Sequence, residues 1–209
     1  MSGLLLYLST MIFDLISGCI TVLVSYYALK AYRISEKKAF LLISIGFLML
    51  TSGFISHALV LISILFLRPA RIFIALVSTY SSMISSISEV IAYIFIAVSY
   101  STELKRSKKM MSILPLLLQI KIHMFTSILS ILLLLYIIFQ LILIHFSEKR
   151  GSLLLPIGFT LMLFAHIINL IALLSLVEEF YIASRCTYFI GSLVILYILS
   201  KVISYHEEK

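Results

Sequence analysis

The chain has no tryptophan, two cysteines, three prolines and seven glycines among 209 residues, and only 12% of it is charged. Each shortage excludes something. Cys19 and Cys186 both lie in or beside apolar runs and form no CxxC, so there is no disulfide framework. Only Gly18, Gly53 and Gly191 sit far from the ends of apolar runs, and none belongs to a Gly/Pro cluster. Discontinuous helices of the kind that build many transporter sites have little to break them here. There is no phosphate loop, nucleophile elbow or HExxH pattern, and the polar links are too short to hold a catalytic domain. The sequence points to a non-enzymatic protein. Without tryptophan, interfacial anchoring falls to tyrosine: Tyr26, Tyr27, Tyr32 and Tyr100 at one set of run ends, Tyr7 and Tyr205 at the other.

What remains is apolar. Hydrophobic residues make up 62% of the chain and the mean hydropathy is +1.18. A soluble domain is about half apolar and a quarter charged, so this chain is read as an integral membrane protein whose first partner is the lipid bilayer. The net charge of +7 does not signal nucleic acid, because Lys and Arg sit mostly in links between apolar runs, where topology signals belong. The stretch ISGC ending at Cys19 imitates a lipoprotein cleavage box. No basic residue precedes it, Asp14 interrupts the run and the run continues to Leu29, so it is read as part of a first transmembrane helix.

A span needs about 20 mainly apolar residues. Runs at 4–29, 39–67, 72–99, 122–146, 152–177 and 183–205 qualify. The segment MSILPLLLQIKI between Lys109 and His123 is broken by Pro115 and Lys121; it is expected in the interface or as an extension of the fourth helix. The phrase SEKKAFLLISIGF from Ser35 returns as SEKRGSLLLPIGF from Ser147, 112 positions later. At the same offset ISEVIAY from Ile87 aligns with LSKVISY from Leu199. The expected fold is therefore all-α, with six transmembrane helices in an inverted 3+3 internal repeat: 1–100 as one three-helix unit, 101–121 as a basic linker, 122–209 as the second unit. Counting cations places both termini outside a cell (cytoplasmic) membrane, with Lys30 to Lys38, Lys105 to Lys109 and Arg185 inside.

Charges inside spans are costly and mark candidate sites. Asp14, Gly18, Thr21 and Ser25 share one face of the first helix; Ser78, Ser82, Ser85 and Glu89 share one face of the third. A rise of 1.5 Å per residue places Asp14 and His57 within roughly 4–8 Å of the centre on the outer side, and Glu89, His166 and Asn169 within roughly 2–8 Å on the inner side. Two polar clusters are expected, Asp14 with His57 and Glu89 with His166 and Asn169, with His57 the repeat partner of Asn169 and Lys201 that of Glu89. Either they form a proton or cation path, or they satisfy one another and fix helix register. A b-type haem would need paired axial histidines, for which His57 with His145, or His123 with His166, are the candidates. No ligand spacing suggests zinc.

Three functions follow in order: a subunit or scaffold of a larger membrane assembly, with other subunits or further copies as partners; a transporter of a small solute, cation or proton using its intramembrane carboxylates; and a haem-bearing electron-transfer subunit. A sensory module would have to signal through a partner.

Overall fold

The computed structural model describes residues 2–67, 71–103, 122–148, 154–175 and 177–207. They form six helices: α1 (Ser2–Ser35), α2 (Lys38–Leu67), α3 (Arg71–Glu103), α4 (Ile122–Glu148), α5 (Leu154–Ser175) and α6 (Glu178–Glu207). All six are long and apolar enough to cross a membrane. Helices are the natural outcome for such segments, since in lipid every backbone N–H and C=O must be satisfied within its own segment. The outer faces carry Leu48, Leu59, Ile84, Leu135, Phe139 and Ile190, all exposed to what would be hydrocarbon. The expected segment between Lys109 and His123 lies outside the described residues, apart from the first helical residues of α4.

One boundary matters for the site. The apolar run begins at Ala183, yet α6 begins at Glu178. Carboxylates suit a helix N-terminus, where the free N–H groups concentrate positive charge, so Glu178 and Glu179 start the helix rather than delay it. Tyr181, Ser184 and Arg185 are thereby carried inside the bundle.

The α1–α2 link is tight. Glu36 takes a left-handed conformation (φ 54°) and its N–H bonds Tyr32 O at 2.8 Å, closing the last turn of α1.

Small and hydroxylated residues set the helix contacts, as expected where lipid removes the hydrophobic drive between helices. The hydroxyls of Ser25 and Ser44 lie 2.9 Å apart and each is within 2.9–3.0 Å of the other residue's carbonyl, so the two side chains join α1 to α2; Thr51 donates to Thr21 at 2.9 Å one turn on. Gly158 and Gly191 let α5 and α6 touch backbone to backbone. A β-carbon on Gly191 would sit 2.9 Å from Gly158 O. Gly46 does the same for α2 and α3, facing Ala92 O and Ile96.

These contacts also fix direction. Along α1, Asp14, Thr21 and Ser25 meet His57, Thr51 and Ser44 in falling order on α2. His57, Gly53 and Gly46 in turn meet Ser82, Ser85 and Ala92 in rising order on α3. Tyr93 packs on His166 and Tyr100 on Phe159, so α3 and α5 are antiparallel. Gly158 against Ile195 and Ala165 against Ser184 make α5 and α6 antiparallel. Helices α1, α3 and α6 point one way and α2 and α5 the other. Residues 149–153 separate α4 from α5. Six peptide steps reach at most about 20 Å, short of the ~30 Å hydrocarbon thickness, so α4 runs against α5 and along α3.

Candidate polar cavity in the bundle

Asp14 is buried to 0% exposure in the first half of α1. An isolated carboxylate there would be prohibitive, and two partners compensate it. His57 Nδ1 bonds Asp14 Oδ2 at 2.5 Å, and Arg185 Nη1 lies 3.2 Å from Oδ1 as an ion pair lacking hydrogen-bond alignment. Because a carboxylate only accepts, Nδ1 of His57 carries the proton; in the neutral ring Nε2 then accepts from the Ser82 hydroxyl at 3.3 Å. Arg185 also donates to the Tyr181 hydroxyl at 2.8 Å, with its guanidinium 5.1 Å from the Tyr181 ring centroid and 6.0 Å from that of Phe54. Four helices thus hold one network.

Behind it lies a cavity of about 160 Å³. Its walls include His57, Ser82, Ser85, Glu89, His166, Asn169, Ser184 and Arg185. The two clusters expected at separate depths are therefore neighbours on one cavity. The separation came from taking each apolar run's midpoint as the bilayer centre and from running α4 opposite to α3, which reverses the sense of α4, α5 and α6. His166 Nε2 bonds the Tyr93 hydroxyl at 2.9 Å, and that hydroxyl lies 3.4 Å from Tyr188. Glu89 and Asn169 hold no hydrogen bond or close ion pair among the described residues, while both line the cavity. Two acidic side chains, Asp14 and Glu89, thus share this polar region with a single guanidinium, Arg185, which pairs with Asp14.

Sequence reasoning missed Arg185 and the tyrosines. Arg185 stood as a topology signal at a helix end, whereas it is the counter-ion of Asp14. The signal was present: Tyr181, Ser184, Arg185 and Tyr188 fall at i, i+3, i+4 and i+7, a polar stripe on one helical face. Lys201, the repeat counterpart of Glu89 and expected to snorkel to the surface rather than pair with it, is exposed.

The histidines do not fit a haem. His57 spends both ring nitrogens on Asp14 and Ser82, and His166 spends Nε2 on Tyr93. His145 packs beside Phe146 near the end of α4, and the side chain of His123 lies outside the described ones. The cavity is also well under the ~300–1,000 Å³ of pockets that take drug-sized ligands. Among the described residues no three of His, Cys, Asp and Glu gather closely enough to hold a metal ion.

No family model matches the chain, and neither a curated protein nor a solved structure matches it.

Proposed function

We propose that the protein binds a small polar solute bearing one positive charge in this cavity and carries it across a cell membrane, as a non-enzymatic transporter that uses its intramembrane carboxylates. The observation that carries this is Glu89: a carboxylate without a partner among the described residues, facing a polar cavity inside an apolar bundle. A group so placed is costly unless something cationic, a proton or a solute, visits it. A cavity of about 150 Å³ admits a molecule the size of benzene. That limits the solute to a few heavy atoms, and the hydroxyls of Ser82, Ser85 and Ser184 with the Asn169 amide suit one that hydrogen-bonds. Short primary amines meet both conditions.

The test is uptake of radiolabelled methylammonium by proteoliposomes. Wild type should accumulate it above empty liposomes. Glu89→Gln, which keeps the shape and removes the charge, should reduce uptake at least tenfold while folded yield is unchanged.

A second reading favours a subunit or scaffold, with other membrane subunits or a second copy as partners. It rests on the network of Asp14, His57, Ser82, Arg185 and Tyr181, whose members already satisfy one another and would fix helix register without any solute. Unchanged uptake in Glu89→Gln, with other chains travelling alongside the gently extracted protein, would favour it.

A further inference from the structure

We infer that the two halves of the chain are related by a parallel duplication, not an inverted one, and that the polar cavity is built on the seam between them in the outer half of the membrane. The inference stands whether or not the cavity carries a solute.

Three observations converge. Helix directions come first. Since α4 runs along α3, Glu103 and Ile122 lie at opposite ends of the bundle. The 19 peptide steps available reach roughly 28 Å as a helix and about 65 Å extended, enough in either case. The units α1–α2–α3 and α4–α5–α6 then have the same sense, as in parallel repeats about an axis along the membrane normal.

The packing repeats in the same sense. Gly46 meets Ala92 and Ile96; Gly158 meets Gly191 and Ile195. Gly53 meets Ser85, and Ala165 accepts from Ser184. The α2 and α5 residues correspond at the offset of 112, but those on α3 and α6 correspond at 99. The match of ISEVIAY to LSKVISY is therefore out of register. In the corrected register Ser82 pairs with Tyr181, Ser85 with Ser184, Ser86 with Arg185 and Glu89 with Tyr188. All eight line the one cavity, as do His57 and its partner Asn169. An inverted repeat would put such partners at opposite depths; a parallel one puts them at the same depth, face to face. The seam is chemically asymmetric, with the free acid from the first unit and the base from the second.

Charge supplies the third observation. With these directions Lys30, Arg33, Lys37, Lys38, the four cations from Lys105 to Lys109, Lys149, Arg150, Lys201 and Lys209 belong to one face by position or by nearness in sequence. That is 12 of the 16 Lys and Arg. The other face has Arg68, Arg71 and Lys121, and Arg185 is the counter-ion of Asp14. Positive-inside counting, divided when the SEK phrases had to face opposite ways, now agrees on one side. The N-terminus lies outside, both SEK links and the C-terminus lie in the cytoplasm, and the cavity, near the Ser2 ends of the helices, lies towards the outside.

The experiment is labelling of single cysteines in the full chain, with Cys19→Ser and Cys186→Ser as background, by a membrane-impermeant maleimide. Lys37→Cys and Lys149→Cys should both stay unlabelled in intact cells and react after permeabilisation, while Arg68→Cys reacts in intact cells. Labelling of Lys37→Cys and Lys149→Cys from opposite faces would overturn the parallel relation. Labelling of both from outside would overturn the sidedness. A C-terminal fusion gives a readout without substitution: green fluorescent protein should fluoresce, and active alkaline phosphatase at the same place would contradict the inference.

Discussion

At the scale of single residues, Asp14 and Arg185 are each tolerable only because of the other. Removing one partner of a buried pair leaves an uncompensated charge and costs about 3–5 kcal/mol. Asp14→Asn and Arg185→Gln should each lower thermal stability in detergent by such an amount. The double variant should lose much less than the sum, because neither charge is then stranded. Additive losses in that double-mutant cycle would mean that the two groups do not act as a pair. Gln140 presents the opposite case. Its Oε1 is buried in α4 with no hydrogen-bond partner among the described residues, and an unmet buried acceptor costs about 1–3 kcal/mol. Gln140→Leu should therefore raise the melting temperature, and a fall would show that the amide serves a contact.

At the scale of elements, close approach decides the arrangement. Gly158 and Gly191 set the separation of α5 and α6, and any side chain at Gly191 would press on Gly158 O and Met162. Gly191→Leu should destabilise by about 1–3 kcal/mol or more through overpacking. Loss of the folded fraction on size-exclusion chromatography would report it. A normal profile and melting temperature would mean that the helices do not meet there. The same contacts carry the site, because they set which turn of α6 faces α5 and so bring Ser184 and Arg185 to the cavity.

At the scale of the whole molecule, helices α1–α3 and α4–α6 are joined by side-chain contacts as well as by sequence. Tyr93 of α3 reaches His166 and Tyr188, and Asp14 of α1 reaches Arg185. Expressed as two chains, residues 1–103 and 104–209 should co-purify after mild extraction, and Asp14→Asn should reduce the yield of the pair. Recovery of either part alone would mean that these contacts do not hold the halves together.

The sequence by itself determined the membrane class and six of the long helices, since so little polar residue leaves only segments that satisfy their own backbone. It also displayed Asp14, His57, Glu89, His166 and Asn169 as polar positions in apolar surroundings, because a charge in such a run stands out without coordinates. Only the tertiary structure decided how they combine. Depth along a helix is legible from numbering only if its direction is known, and direction depended on contacts such as Tyr93 with His166 and Tyr100 with Phe159. Arg185 was hidden for the same reason: near a helix end a guanidinium reads as a surface charge until the neighbouring helix brings a carboxylate to within 3.2 Å. Register in apolar helices is likewise set by where glycines let backbones meet, and matches between Leu, Ile and Val cannot supply it.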